Sequence, residues 1–458
     1  IDGSVNPITI TDKEIDGDRN VVAVKLEATN SAIDDIIVNF QPSAGDSTLI
    51  YGVENGLQCE KASLSRYYRV NGKLEFGDSY IVGYDASVDR ASIYNNGWIE
   101  FNDKVSIVAN EHKAIYVASD ARTRFNQAVD ILVNNYADGA LVNDGRLDFG
   151  RPSQISNIGG YAVVNSGTFI LNSDNVDGNS KDGNTILLGD VKHIAGDNVY
   201  TRLNIRGAGS YFQGNIYGSD DNFHLYLGKG GSWILEDPQA EVVTGLHLDG
   251  GKVYLYGTNT TQYNTLKLNN FSTNDDFSSY NGGFYLHTNL EASVGDKLEF
   301  TGSTPDFKSI PLYVEDLSTS TIYETDGKSL TLVTAPSDTN MDFSPSVSAR
   351  YSPTDYYLYI PSITSDINGN KKEWYFNGWQ MATEPVDPDP IDPPDFPDWP
   401  GNDPDDPPHK TVNDEIKQTK DEYYINHIDL DNILKRINDI RTDPSEVGAW
   451  IRGENGKM

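Results

Sequence analysis

The stretch NDGRLDF occupies residues 143–149, and NSGTFIL follows it at residues 165–171. Each consists of an asparagine, a small polar residue, a glycine and a short apolar alternation. The glycine-led run recurs as Gly72-KLEF, Gly97-WIEF, Gly189-DVKHI, Gly209-SYF, Gly231-SWIL and Gly251-KVYLY. From Gly145 through Gly167, Gly189, Gly209 and Gly231 to Gly251 the steps are nearly constant. Gly97 to Gly145 is two such steps with one glycine missing, and Gly72 to Gly97 is slightly longer than one. A fixed period of about 20–22 residues marks a solenoid. The runs are rich in Val, Ile, Phe, Tyr and Trp, which favour strands. The Leu/Asn consensus of leucine-rich repeats is absent.

The expectation is therefore an all-β chain, a right-handed parallel β-helix. Each turn of short strands buries its inner face only by stacking on the next. Gly and Asn at the corners take backbone conformations that other residues resist. With strands about 4.8 Å apart, about 15 turns give a rod on the order of 70 Å. The alternative is an array of β-sandwiches with coincidental glycines.

Composition agrees with many short strands and turns. Hydrophobic residues make up 37% of the 458, with 41 Gly and 27 Tyr. The formal net charge of −33 repels nucleic acid and anionic membranes, so neither is an expected partner. No apolar run reaches membrane-spanning length. The start at Ile1-Asp2-Gly3, without Met or leader, is read as a mature or excised form. Cys59 is the one cysteine, so no intrachain disulfide forms. It reads as a buried apolar thiol.

The chain divides on these signals. Residues 1–60 are expected to be an N-terminal cap and first rungs, and 61–282 the β-helix. Residues 283–380 lose the glycine signal and alternate strongly, as a β-rich cap. Residues 385–408 hold ten of the 21 prolines and eight aspartates, so 381–410 reads as an extended, solvated linker. Residues 411–446 show helical spacing of Ile416, Ile428, Leu434, Ile437 and Ile440, ended by Asp443-Pro444. Residues 447–458 read as a strand with no successor to pair with.

Three of these pieces resemble the classical monomeric autotransporters of Gram-negative bacteria, of the AIDA-like and pertactin-like type. In residues 230–272 the matching elements are Gly231-x-Trp233, Leu246-x-Leu248-x-x-Gly251 and Tyr263-x-Thr265-Leu-x-Leu268-Asn-Asn270. The run GGFYLHTNLEASVGDKLEFTG, then Gly327-KSLTLV, Tyr356-YLY and Trp374-YF, is similar to the junction often called the autochaperone. Residues 434–457 look like the pore helix running into the first barrel strand, through Gly448-x-Trp450-x-Arg452. The resemblance implies a passenger cut at the start of its own outer-membrane barrel. It implies export C-terminus first, with strand stacking outside opposing return. Residues 283–380 would cap the open end and template the first rungs. Packing positions implied for that junction are Trp233, Phe284, Leu286, Leu298, Leu330, Leu332, Tyr357, Tyr359, Trp374 and Phe376.

Motifs for catalysis are sparse. Gly45-Asp46-Ser47 is followed by Thr48 and Gly77-Asp78-Ser79 by Tyr80, so neither completes the Gly-Asp-Ser-Gly of autotransporter serine proteases. They read as turns. No Gly-x-Ser-x-Gly elbow, P-loop, His-Glu-x-x-His or cysteine pair occurs. His112, His193, His224, His247, His287, His409 and His427 are scattered. With 68 acidic residues, no carboxylate pair stands out. The reading is a non-enzymatic, surface-displayed adhesin or self-association factor with no cofactor or metal. Its partners are itself or another bacterial or host cell surface, and it stays on the cell or is released. The alternatives are a β-helical polysaccharide-degrading enzyme and a non-binding surface spacer.

Overall fold

The computed structural model describes residues 22–381 apart from 27–35, 41–47, 52–54, 61–66, 78–90, 135, 174–183, 237–241, 258–261, 274–276, 278–279, 308 and 347–358. The chain divides into two units, Ile1–Asp389 and Pro390–Met458. The second unit lies outside the described residues, and with it the expected helix 411–446 and terminal strand 447–458. Residues 1–21 and 382–389 lie outside them as well.

Alternation sets each strand locally. Val105–Asn110 reads VSIVAN, and its Val105, Ile107 and Ala109 are buried while Val108 is exposed. Such strands fall into three parallel ladders. The first runs from Val22–Leu26 through Asn55–Cys59, Ala91–Asn95, Lys113–Val117 and Leu141–Asn143 to the second half of Gln154–Asn165. It continues on Ile186–His193 and Ile216–Tyr217. The second ladder holds Ile36–Asn39, Tyr67–Asn71, Trp98–Phe101, Arg122–Phe125, Arg146–Phe149 and Thr168–Leu171. Tyr200–Arg206, Phe223–Gly228, Leu246–Asp249 and Ser272–Thr273 extend it. The third ladder starts at Thr48–Tyr51 and passes through Leu74–Gly77, Val105–Asn110 and Val129–Asn134 to the first half of Gln154–Asn165. It goes on through Ile186–His193, Tyr211–Gln213, Ser232–Ile234 and Lys252–Tyr254.

Between residues 22 and 234 the chain visits these ladders in a constant order, turn after turn. The described residues are nearly all β, with long parallel sheets, and this pairing is consistent with a parallel β-helix. No α-helix occurs among the described residues. Equal turns place like residues above like. Phe101, Phe125 and Phe149 are ladder partners on successive turns. Their ring centroids are 4.8 and 5.0 Å apart, with the planes within 14°. Each fully buried ring of this kind contributes about 1.5–3 kcal/mol by leaving water.

The glycine period proves to span two ladders. Gly97, Gly145 and Gly167 lead into second-ladder strands, whereas Gly72, Gly209, Gly231 and Gly251 lead into third-ladder strands. Gly189 sits inside Ile186–His193. The second-ladder partner of Leu171 is Leu203, a longer turn than the one from Phe149 to Leu171. The glycines mark tight corners rather than one repeated position. A Cβ at Gly167 would lie 2.1 Å from the carbonyl oxygen of Gly145, so the rung below excludes any side chain there.

Among the described residues the third ladder crosses residue 282 without a break, whereas the second ends at Ser272–Thr273. Gly283–Asn289 pairs in parallel with Lys252–Tyr254 and then with Ile310–Asp316, which pairs with Phe343–Pro345. Its last residues also turn back on Val294–Gly295 in a short antiparallel contact. A separate sheet runs Val242–Thr244, Thr265–Asn269, Lys297–Phe300 and Leu330–Pro336, all parallel. At its far edge the direction reverses. Lys371–Met381 pairs antiparallel with Leu330–Pro336 on one side and with Tyr359–Asn368 on the other. Residues 283–381 thus continue the third ladder and the separate sheet and close on an antiparallel hairpin.

Candidate functional site

The corner after the first ladder is built from buried amides. The ladder column Asn143, Asn165, His193 follows from the register, and all three side chains are buried. Asn143 Nδ2 donates to Asn165 Oδ1 at 2.7 Å. Asn165 Nδ2 donates to the carbonyl oxygens of Gly167 and Tyr200 and to Thr201 Oγ1. The Gly167 N–H returns to Asn165 Oδ1 at 3.1 Å. An asparagine two positions before a glycine closes its own turn in this way, which is why the Asn-x-Gly pattern recurs.

His193 ends that column in a geometry that looks catalytic. Its Nδ1 lies 2.8 Å from Thr201 Oγ1 and its Nε2 lies 3.0 Å from Asp220 Oδ1. Hydroxyl, imidazole and carboxylate are thus in line. Thr201 is wholly buried and His193 is 1% exposed, so no substrate reaches the hydroxyl. Burial lowers the His193 pKa, opposed by Asp220. The trio ties a corner together. Cys59 is equally inaccessible: burial first, then Glu60, pushes its thiol far above the usual range.

Two further polar clusters lie toward the C-terminal end. On the outer side of the second ladder, Tyr226 stacks on His247 at 4.2 Å, and His224 Nδ1 lies 3.2 Å from His247 Nε2. Burial, helped by His224, Arg202 and Arg206, lowers the His247 pKa to about 4. On the third ladder Tyr254, Tyr285 and Tyr313 form a stack with centroid spacings of 4.5 and 4.2 Å. Beside it, His287 Nε2 meets Glu315 at 3.0 Å. The buried Asp296 carboxylate accepts the backbone N–H groups of Asn264 and His287, each at 2.6 Å. Burial nevertheless raises its pKa to about 7.

Among the described residues, no three His, Cys, Asp or Glu side chains gather as a metal site. A depression between Ile50, Phe76, Ser92 and His112 encloses about 10 Å³, room for one water and no ligand. The turn sequences at Ser47 and Ser79 lie outside the described residues.

The expected packing residues separate into groups. Trp233 is in the third ladder, stacked on Phe212, its indole N–H donating to the Gly214 carbonyl at 3.0 Å. Phe284, Leu286, Leu298 and Leu332 are fully buried, and Leu330 is half-buried against the core. Trp374 and Phe376 are buried on Lys371–Met381, and Trp374 Nε1 donates to Asp342 Oδ1 at 2.7 Å. Tyr359 pairs with Met381, but its side chain, like all of Tyr357, lies outside the described residues. An aromatic chain through Phe271, Phe284, Phe300, Phe343 and Trp374 links the final turns to the hairpin. Phe300 was legible from the same alternation as Leu298. Phe343 and Trp379 were not, because their strands are short or interrupted by Gly378.

No protein-family profile matches the chain, and no curated protein matches its sequence.

Proposed function

We propose that this chain is the passenger of a classical autotransporter. In this reading it is a right-handed parallel β-helix displayed at a Gram-negative cell surface or released from it. It acts without chemical turnover, as an adhesin and self-association factor. Its partners are a second copy, another bacterium or a host surface, and its own outer-membrane barrel holds it during export. The observation that carries the reading is the run of parallel ladders from residue 22 to residue 345, which presents long outer faces of repeated polar and aromatic side chains. Hydrogen bonds repeated along such a face add up, though each contributes only about 0.5–1.5 kcal/mol. The resemblance of residues 230–457 to the family's last rungs, junction and pore helix supports the same reading.

Cells displaying the chain on a suitable barrel are expected to clump or to attach to other cells, and cells lacking residues 70–280 are not. Copies with a net charge of −33 repel one another. Salt screens that repulsion to about 10 Å at 0.1 M, so clumping should strengthen from low to moderate salt. Dispersed, unattached cells at every salt concentration would sink the proposal. So would reproducible cleavage of a polysaccharide that is lost on changing one acidic pair.

A further inference from the structure

Among the described residues, all the arginines but Arg151 gather on one face. In the second ladder the residues at 99, 101, 125, 147, 149 and 203 point into the core, so the alternate positions point outward. The register aligns Arg69, Glu100, Arg124, Asp148 and Arg202 in one outer column, with Ile170 between the last two. Arg122 and Arg146 are partners in the neighbouring column, below Trp98. Arg206, further along the strand that carries Arg202, shares the face. The described outward positions of this ladder thus hold these six arginines and three carboxylates, Glu100, Asp148 and Asp249. The whole chain has the reverse ratio, 35 Lys and Arg against 68 Asp and Glu.

Several of these guanidinium groups are held in place. Arg122 lies over the Trp98 ring at 4.1 Å, and Arg202 and Arg206 lie over Tyr226 at 4.8 and 5.6 Å. Stacking engages the flat face of a guanidinium and leaves its N–H edge to meet an anion. A side chain already ordered loses less freedom on binding. Three ion pairs on the face are long: Arg69 to Glu100 at 3.6 Å, Arg146 to Asp148 at 3.6 Å and Arg206 to Asp249 at 3.7 Å. Arg69 and Arg146 are themselves about half exposed, at 48% and 50%, so an incoming anion can reach them.

We propose that the outer face of the second ladder is a binding strip for a linear anionic polysaccharide. Carboxylate or sulfate groups on the sugar chain pair with Arg69 and Arg202, each two rungs beyond the central pair, and with Arg122 and Arg146 on adjacent rungs about 4.8 Å apart. That pitch is close to the advance of a pyranose in an extended chain. Charge density selects this occupant over nucleic acid. Duplex DNA carries one charge per about 1.7 Å of axis and is repelled by the remainder of a −33 chain. A polysaccharide with one charge every sugar or two meets the arginines with a smaller penalty. The inference rests on the adhesin reading and names the ligand class of its surface.

The purified chain is tested against immobilised heparin, polygalacturonate, neutral dextran, duplex DNA and a second copy of itself. Binding is expected to heparin or to both anionic polysaccharides, with retention falling as salt rises, and not to dextran or DNA. Heparin alone points to a sulfated source; both together show that carboxylate suffices. Arg122→Glu with Arg146→Glu should weaken binding by roughly tenfold or more. Lys25→Glu with Lys192→Glu makes the same change in net charge on first-ladder positions and should leave binding within about twofold. Arg122→Gln with Arg146→Gln, checked for an unchanged melting temperature, covers the case in which charge reversal perturbs folding. Absence of binding, equal losses in the arginine and lysine variants, or equal retention on DNA or on a second copy would overturn the strip. Clumping strengthens with salt and polysaccharide binding weakens with it. Clumping cells whose purified chain ignores both polysaccharides therefore refute the strip alone, and cells that never clump or attach refute the adhesin reading.

Discussion

The corners of the coil between residues 91 and 206 are filled by amides and an imidazole, whereas the corners between 283 and 318 are filled by carboxylates. Asn95, Asn143, Asn165 and His193 serve the first region, Asp296 and Asp316 the second, and all are buried. An amide donates and accepts, so one asparagine can bond to the next turn and be bonded by the one before. Such a column propagates. A carboxylate only accepts, so it gathers N–H and O–H groups and passes nothing on. Asp296 takes two backbone N–H groups. Asp316 takes the N–H of Leu290 and of Ser318, the Ser318 hydroxyl and the indole N–H of Trp379. Trp379 belongs to the antiparallel hairpin. The carboxylates stand where the repeating turn gives way to a closing element.

That difference can be broken by exchanging the chemistry. Asn165→Asp at pH 8 keeps the shape but sets a carboxylate against the carbonyls of Gly167 and Tyr200. It should cost about 3–5 kcal/mol, because the buried charge has no counter-ion and one of its oxygens faces carbonyl oxygens. Asp296→Asn retains an acceptor for one of the two N–H groups and should cost about 1–2 kcal/mol. Thermal unfolding of the two variants compares them directly; equal losses would mean that the two corners are equivalent.

Acidity sharpens the comparison with opposite signs. His247, near 6.5 when unfolded, falls to about 4 in the fold, so its contribution to stability is lost as pH drops from about 6.5 toward 4. His193 and His224, also lowered chiefly by burial, act in the same direction. The groups set against His247 are His224, Arg202 and Arg206. Asp296 rises from 3.8 to about 7, so its contribution is present at low pH and lost as pH rises through about 7. From pH 7.5 to pH 5, amide exchange corrected for its intrinsic rate should speed up in residues 200–249. It should slow at Asn264 and His287. A change of the same sign in both places would contradict the assignment.

The smallest effect is expected at the hairpin. Trp379→Phe removes the 3.4 Å bond to Asp316 while keeping most of the buried surface. It should lower stability by about 1 kcal/mol or less, yet hasten proteolysis within 359–381 relative to the coil. Unchanged cleavage there would show that the indole bond does not hold the hairpin.

Strand type, the repeat and the corner asparagines were legible in the sequence, because each is a local property. Alternation in VSIVAN and the Asn-x-Gly spacing before TFIL state their own geometry. The glycine period misled on equivalence, since a tight corner is required at more than one place in a turn. On the third ladder the break at residue 282 was a change of composition and not of pairing: Val253 meets Phe284 as Phe212 meets Trp233. The arginine strip was invisible in the linear chain. Arg69, Arg124 and Arg202 are widely and unevenly spaced and share no motif. Turns of unequal length separate Leu171, Leu203, Leu225 and Leu246, partners on successive rungs. Local alternation therefore fixes which side chains face in or out. Only the stacking of unequal turns decides which outward residues become neighbours, because that register is set by the fit of buried side chains from rung to rung.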